Sequence, residues 1–273
     1  MKMISQLNRI PTKLYNPETL LYRDRIIANS GTISDASLDA VEKFVQDCKN
    51  AMVWDKLLEV GVFAGNNLNA ALTKLVVGPG APTALTNVNF VGGDYAETGS
   101  AGGLNGDGAT KYLNTGFTGT NLPDTAHLSA YLRDDVVASG NRSLLGTLTG
   151  TDQFWMGGLN ASATVDFRYG QLNGTTLLTG LVKGFWCGVR VSSSILRLFR
   201  NGAYADLNSS ATTLVKPAGS VFIHAYNLSG SPGGYTPGRI SFYSIGNAMS
   251  DPDVLAFHLA VRTLQYNLNR GIN

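Results

Sequence analysis

Hydrophobic residues change their spacing twice along this chain, and that change constrains the fold more than any single motif does. Between residues 38 and 52 they step by three and four positions, as on one face of a helix. From about residue 84 they alternate with polar residues, as Leu128, Ala130 and Leu132 do. After residue 250 the helical spacing returns. We therefore expect helices, then antiparallel strands buried on one face, then a helix.

Turn signals divide the alternating region into short strands. Asn-Gly pairs, which suit type I′ turns, occur at residues 105–106, 173–174 and 201–202. Glycine accounts for 32 of the 273 residues and charged residues for 15%, a balance that favours tight turns over charged helices. The sequence therefore predicts a mainly β protein: an antiparallel β-sandwich, or jelly roll, with an N-terminal helical segment and a C-terminal helix.

Three segments are predicted along the chain. Residues 1–30 are apolar without a clean period, and we interpret them as an arm that docks on a neighbouring protein. Residues 31–80 form a small helical segment, with its last two short helices at about 54–58 and 68–75. Residues 81–273 form the β-sandwich together with the helix that closes it.

Capping residues mark where the two longest helices begin. Ser34 is a suitable N-cap, because its hydroxyl can accept a hydrogen bond from the first turn. Ser250 is followed by a proline and by an acid three residues later, which indicates a capping box at the start of a helix over about 251–270. The spacing predicts that Phe257 faces the core and that Gln265 faces solvent.

Charge and composition exclude several function classes. A formal net charge of +2 is no footprint of nucleic-acid binding. No apolar run is long enough for a membrane span, and the N-terminus lacks the apolar stretch of a signal peptide. Cys48 and Cys187 form no CxxC pair, so we expect reduced buried thiols in a protein made in a cytoplasm.

The sequence shows no catalytic constellation. The histidines, His127, His224 and His258, fall on unrelated elements. No GxSxG or phosphate-loop motif is present. Glycoside hydrolysis needs two carboxylates across a cleft, and Glu97 is the sole glutamate of the β region. We therefore predict that the protein is not an enzyme.

One set of residues is a candidate metal site. Asp94, Asn105 and Asp107 supply oxygen atoms around a glycine-rich stretch, and calcium takes oxygen ligands. Short Asx side chains in such stretches also serve turn geometry, so both interpretations stay open. No other motif calls for a cofactor.

Three aromatic residues are candidates for carbohydrate binding. Tyr95, Trp155 and Tyr235 lie near predicted loops, where their rings could stack on sugar rings. The alternative is that these rings pack within the sandwich or along its edges.

Two stretches resemble a known group of proteins. Residues 103–117 read GLNGDGATKYLNTGF, and residues 235–246 read YTPGRISFYSIG before the terminal helix and Asn269-Arg270. Together with the helical leader they resemble phage tail and virion proteins, which pair such a leader with a concanavalin A-like, or laminin G-like, jelly roll. The resemblance covers about residues 25–270.

The resemblance implies a virion structural protein of a tailed phage that belongs to the tail or fibre and contributes to host attachment. Such a protein is made in the host cytoplasm, contacts other virion proteins through its arm and forms a homo-oligomer in the particle. The alternatives are a lectin-like module for host surface glycans, a head decoration protein and, third, a polysaccharide-degrading enzyme. The active glucanases of this fold carry a Glu-x-Asp-x-Glu strand, which this sequence lacks.

Overall fold

Two antiparallel sheets packed face to face form the body of the protein, and the helices cover the outer face of one of them. The computed structural model describes residues 13–136, 140–159, 164–171, 174–175, 177, 180–209 and 214–272. The predicted class, an antiparallel β-sandwich with helices at both ends, is confirmed. No helix in the described part of the chain has the length and apolar character of a membrane span.

The helices fall at the two ends of the chain. They are α1 (Pro17–Ala28), α2 (Asp35–Asn50), the single-turn α3 (Leu68–Ala71) and α4 (Asp251–Asn267). Both predicted caps are confirmed: Ser34 accepts a hydrogen bond from the backbone of Ser37, and Ser250 forms a capping box with Asp253.

The sheet beneath the helices is called the helix-side sheet. Its strands are β1 (Leu57–Gly61), β3 (Tyr95–Ala96), β4 (Gly103–Asp107), β6 (Ala126–Leu132), β10 (Gly184–Arg190), β11 (Leu196–Arg200), β12 (Ala203–Asn208) and β16 (Pro237–Asn247). Their order is β12-β11-β10-β6-β16-β4-β3, and β1 also pairs with β16.

The second sheet is called the open sheet. Its strands are β2 (Thr86–Val88), β5 (Tyr112–Thr118), β7 (Arg142–Thr149), β8 (Asp152–Leu159), β9 (Thr164–Gln171), β13 (Ser220–Ile223), β14 (Tyr226–Leu228) and β15 (Ser231–Gly233). The path β15-β14-β7-β13-β5-β2 runs through it, with β8 beside β7 and β9 beside β8. Its pairs are antiparallel except for β7 with β14, which run parallel.

The strand β6 is buried on both faces, whereas the alternation predicted burial on one. Leu128 joins the core between the two sheets, and Tyr131 joins a second core beneath the helices. The prediction of half-buried strands is therefore wrong for β6, because α2 and α4 cover the face that was expected to meet solvent.

The predicted N-terminal arm, residues 1–30, is a helix over much of its described length. α1 buries Tyr22 and Ile26 completely in the core beneath the helices. Their four-residue spacing places them on one face, while apolar Leu21 and Ile27 on the other side obscure the period in the sequence. Residues 17–28 thus belong to this chain's own core, and residues 1–12 of the predicted arm lie outside the described residues.

The predicted helical segment, residues 31–80, contains a strand. Residues 57–61 form β1, which pairs with the last strand of the sheet, β16, so the helix expected at 54–58 is wrong beyond its first residues. The helix expected at 68–75 ends at Ala71. Pairing with a strand nearly two hundred residues away overrides the local helical spacing, and no local pattern records that partner.

The structure confirms one of the three turns predicted at Asn-Gly pairs. Asn201 and Gly202 both have positive φ, 50° and 76°, and they join β11 to β12 as the type I′ prediction requires. Asn105-Gly106 lies inside β4, so that turn prediction is wrong. A Cβ at Gly106 would lie 2.5 Å from a ring nitrogen of His224, so close packing explains this glycine. Asn173 lies outside the described residues.

The polar side of α4 is less exposed than the sequence predicts. Gln265 is fully buried, and its Oε1 accepts hydrogen bonds from Ser241 and Arg270. His258 is also buried, against the ring of Phe185. The three-and-four spacing found the buried stripe correctly but underestimated its width, because a buried amide with partners looks like a surface residue in sequence.

Replacing Phe257 by alanine is expected to destabilise the fold by about 3–5 kcal/mol, the usual cost of removing a buried phenyl ring. Phe257 is fully buried and its ring contacts Phe44, Phe185 and Phe242. Leu259→Ala is the matched control, because Leu259 lies two residues away and is 49% exposed. Chemical denaturation measures both, and equal losses would contradict the orientation of α4.

Replacing Tyr22 by alanine is expected to lower the melting temperature clearly, while Leu21→Ala leaves it nearly unchanged. Tyr22 is fully buried against this chain, and its neighbour Leu21 is 51% exposed. Thermal unfolding of the two variants tests whether α1 belongs to the fold. If Tyr22→Ala melted like the unaltered protein, α1 would not be needed for the fold, and the interpretation of residues 1–30 as a docking arm would be favoured.

Candidate functional site

The outer face of the open sheet carries aromatic side chains that no described helix covers. Trp155 and Phe222 are 3% and 4% exposed, yet both lie outside the core between the sheets and the core beneath the helices. Tyr112 stacks on Phe222 with ring centroids 4.7 Å apart, and Tyr235 packs edge-on against Tyr112 at 6.3 Å. With Tyr226 these residues form a surface that we call the aromatic platform.

Strand register places the platform along one line across the sheet. Gly146 on β7 is opposite Trp155 on β8 and also pairs with Phe222 on β13. Tyr226 on β14 pairs with the same glycine from the parallel strand. Because side chains on one face of a sheet stand at the same height at matching register, these aromatic residues form a row perpendicular to the strands.

Two glycines allow the indole ring of Trp155 to lie flat on the sheet. A Cβ at Gly146 would lie 2.7 Å from Cδ1 of Trp155, and a Cβ at Gly157 would lie 2.9 Å from its Cζ2. Both distances are too short for a side chain to fit. The absence of side chains at these two positions therefore sets the orientation of the tryptophan.

A small groove of about 130 Å³ opens beside Trp155. Its lining residues are Asn141, Leu148, Gln153, Trp155, Arg168 and Tyr226. The guanidinium of Arg168 lies over the indole, 5.9 Å from the ring centroid, and Gln153 lies within 3.4 Å of it. Nε1 of Trp155 has no hydrogen-bond partner among the described residues.

An ion pair fixes Arg168 over the tryptophan. Its Nε donates to Asp166, whose side chain is fully buried. Burial raises the pKa of the Asp166 carboxyl, and the charge and hydrogen bond of Arg168 oppose that rise. The pair therefore holds a cation in place on the ring instead of leaving it mobile in solvent.

This arrangement suits a ring-shaped ligand with one apolar face and many hydroxyl groups. The half-buried tyrosine rings can contact apolar C–H surface, while the amides and the guanidinium supply hydrogen-bond donors and acceptors at the edge. Concave sites with an aromatic wall and a few placed polar groups are typical of small-molecule binding.

The structure brings together two of the three predicted aromatic residues. Trp155 and Tyr235 lie on the platform, but Tyr95 lies on β3 of the helix-side sheet. The hydroxyl of Tyr95 donates to the carbonyls of Phe63 and Gly65, at 3.1 and 2.8 Å, and burial raises its pKa. Tyr95 thus has a structural role at the edge of the sandwich.

The sequence analysis missed the other members of the site. They are Tyr112, Gln153, Arg168, Phe222 and Tyr226. Alternation in residues 152–159 and 164–170 would have placed Gln153, Trp155 and Arg168 on one face. It could not show that this face is the outer one.

Two of the three predicted calcium ligands, Asp94 and Asp107, already have partners in the protein. Burial would raise the pKa of Asp107, but hydrogen bonds from Thr110 and from the backbone amides of Ala109 and Lys111 hold it far below its usual value. Asp94 accepts from the ammonium of Lys111 and from the amide of Val91.

The third predicted ligand, Asn105, lies inside β4 opposite Arg239. Among the described residues no three His, Cys, Asp or Glu side chains gather as metal ligands would. N–H donors and a lysine cation occupy the two carboxylates, which is the environment of a turn and not of a bound cation. Turn geometry and the lysine therefore account for Asp94 and Asp107, and the calcium interpretation gains no support from the contacts of these two carboxylates.

The three histidines and two buried or engaged glutamates, Glu59 and Glu97, lie on separate segments of the described chain. Burial lowers the pKa of His127, His224 and His258 to about 4, which keeps all three neutral. Glu59 is fully buried with Lys74, which donates to it at 3.0 Å, and Tyr243 donates to its other oxygen. Glu97 accepts from the backbone amide of Gly65.

Comparison with known proteins supplies no relative by sequence. No protein-family model matches the chain, and no curated protein does. Solved structures resemble it at low identity. NanB sialidase from Streptococcus pneumoniae is 15% identical over 56% of this chain and 27% of its own, with a TM-score of 0.43. Trypanosoma rangeli sialidase is 13% identical over 81% and 38%, with a TM-score of 0.49.

A third similar structure is the Ruminococcus gnavus IT-sialidase CBM40 bound to α2,3 sialyllactose. It is 16% identical over 48% of this chain and 80% of its own, with a TM-score of 0.37. This chain spans about a quarter of NanB and well under half of the T. rangeli enzyme. At these levels of identity and structural similarity the comparisons transfer no functional residue to this chain.

Proposed function

We propose that this protein is a carbohydrate-binding β-sandwich whose ligand lies on the aromatic platform of the open sheet. The observation that carries the proposal is the group of half-buried tyrosines, Tyr112, Tyr226 and Tyr235, around the buried rings of Trp155 and Phe222, on a sheet face that no described helix covers. This function was the alternative in the sequence-based prediction, and the site supports it better than it supports a purely structural role.

The platform favours a glycan chain over a single sugar. From Trp155 on β8 the platform extends over β7 and β13 to β5, where Tyr112 lies two residues from Asn114, the partner of Phe222; neighbouring strands lie about 4.8 Å apart. Three such steps span about 14 Å, which is longer than one sugar ring. We therefore expect affinity to rise with the number of sugar units until the ligand covers the row.

Replacing Trp155 by alanine is expected to weaken glycan binding at least tenfold, which corresponds to about 1.4 kcal/mol. A glycan array identifies a ligand, and calorimetry then compares variants on it. Tyr204→Ala is the control, because Tyr204 is an exposed aromatic residue on the helix-side sheet.

Tyr226→Ala gives a second measurement if Trp155→Ala fails to fold, because Tyr226 is only half-buried. If Tyr226→Ala and a folded Trp155→Ala both bound like the unaltered protein, the platform would not be the binding site. An array without any ligand would argue against the carbohydrate-binding function itself.

We further propose that binding occurs without hydrolysis. A glycosidase needs two carboxylates, about 5–10 Å apart, that are free to act as acid and as base or nucleophile. Beside the platform, Asp166 is paired with Arg168, and Asp107 accepts hydrogen bonds from Ala109, Thr110 and Lys111. Glu59 and Glu97 are engaged elsewhere.

Incubation of the protein with the glycan it binds is therefore expected to release no reducing ends, with or without added calcium. A reducing-end assay over hours tests this, with a commercial glycosidase as positive control. Turnover that disappears in Asp166→Asn or Glu97→Gln would establish an enzyme instead.

Assignment to a phage virion stays a prediction carried by residues 103–117 and 235–246. Those blocks form neighbouring strands: β4 pairs with β16 from Asp107–Pro237 to Leu104–Ile240. Attachment to host surface glycans would use the platform, and the homo-oligomer and the contacts with other virion proteins belong to the same prediction. Electron microscopy of particles from an infected culture, labelled with antibody against this protein, would test it directly.

A further inference from the structure

A second cleft lies on the opposite side of the sandwich from the platform. It has a volume of about 370 Å³ and lies between α4 and the ends of β10 and β11. Its lining residues are Tyr131, Lys183, Arg200, Asn201, His258, Arg262 and Ile272. We call it the basic cleft, because its charged lining residues are all cationic.

The floor of the basic cleft is held in place by the turn between β11 and β12. Oδ1 of Asn201 accepts a hydrogen bond from the amide of Phe185 at 2.9 Å, and the amide of Asn201 donates to the carbonyl of Phe185 at 2.8 Å. Gly184 has a φ of 138°, and a Cβ there would lie 2.6 Å from Oδ1 of Asn201. The turn is therefore locked against β10.

Two of the basic side chains are available to a ligand. Lys183 and Arg262 are exposed, and neither forms an ion pair with a described residue. Arg262 packs over the ring of Tyr266 at 5.4 Å, which orients its guanidinium. The guanidinium of Arg200 instead lies over the ring of Trp186, which belongs to the core between the sheets. Arg200 is therefore not counted among the cations available to a ligand.

The remaining lining residues, Tyr131, Asn201, His258 and Ile272, carry no charge near neutral pH. Burial lowers the pKa of His258 to about 4, with the nearby charge of Arg262 acting in the same direction, so the imidazole is neutral near pH 7. The contacts place one carboxylate near the cleft, that of Asp135, which accepts a hydrogen bond from the backbone amide of Lys183. Two cations therefore face a polar cleft whose lining contributes no carboxylate.

We propose that the basic cleft binds the anionic group of a small ligand, a carboxylate or a phosphate on a molecule of about the size of one sugar. Arginine offers paired N–H donors that match such groups, and lysine adds a point charge. This site does not rest on the carbohydrate-binding function of the platform, because the two lie on opposite faces of the sandwich.

Titration with three probes tests the proposal: D-glucuronate, inorganic phosphate and neutral D-glucose. We expect glucuronate or phosphate to shift the amide resonances of Asn201 and Arg262 in a saturable way, and glucose to leave them unchanged. A shift by only one of the two anions identifies whether the site takes carboxylates or phosphates. Binding should weaken as salt is raised, because the interaction is between exposed charges.

The double variant Lys183→Gln/Arg262→Gln is expected to raise the dissociation constant at least tenfold. Arg23→Gln/Lys43→Gln is the matched control: it removes the same charge from exposed positions on α1 and α2. Binding unchanged in the first pair, or lost equally in both, would overturn the proposal. Trp155→Ala should bind the anion normally, which separates this site from the platform.

Discussion

The packing of the helices on the sheet depends on the hydrogen bonds of one buried guanidinium, that of Arg270. It is fully buried, just beyond the end of α4. Its acceptors are the carbonyls of Val62, Phe63, Glu97 and Ser241 and the side-chain oxygen of Gln265, at 2.6 to 3.3 Å. A cation is costly to bury without partners, so this arrangement persists only while every acceptor stays in place. One side chain thus joins four separate parts of the chain.

Burial lowers the pKa of Arg270 to about 10, and neighbouring Tyr95 and Glu97 act in the opposite direction. The side chain therefore keeps its charge near neutral pH. The Arg270 guanidinium donates both to the segment after β1 and to the strand β16. The helices pack on the same side of the sheet. A second buried polar group, Glu59 with Lys74 and Tyr243, joins β1 to β16 on the other face of that sheet. The helices therefore cover the helix-side sheet, whereas no described helix covers the open sheet.

That division explains where a binding surface can form. Strands β6, β10 and β16 are buried almost throughout, because one face meets the other sheet and one meets the helices. Aromatic residues on those strands, such as Phe185 and Phe242, serve the core beneath the helices. No helix in the described part of the chain covers the outward face of the open sheet, and Trp155 and Tyr226 there border a groove. The same residue types thus have different roles on the two sheets.

Local patterns predicted what local chemistry determines. The caps at Ser34 and Ser250 and the turn at Asn201-Gly202 were readable because each depends on residues a few positions apart. The strand β1 was not, because its partner β16 is remote in sequence. The sequence could not distinguish Tyr95 from Trp155, because their partners are also remote in sequence. In the structure the hydroxyl of Tyr95 donates to the carbonyl of Phe63, whereas the indole of Trp155 borders a groove. Alternation reveals two faces of a strand but not which face lies inward.

The blocks that suggest a virion protein concern mainly the scaffold. Residues 103–107 and 237–240 pair as strands, and β16 also holds Ser241, an acceptor of Arg270. Of the platform, only Tyr112 and Tyr235 fall within those blocks, while Trp155 and Arg168 fall outside them. A shared scaffold can carry unrelated binding surfaces, since function depends on the site and not on the fold. The resemblance and the platform therefore bear on different questions: the first on where such a chain is assembled, the second on what its exposed sheet can hold.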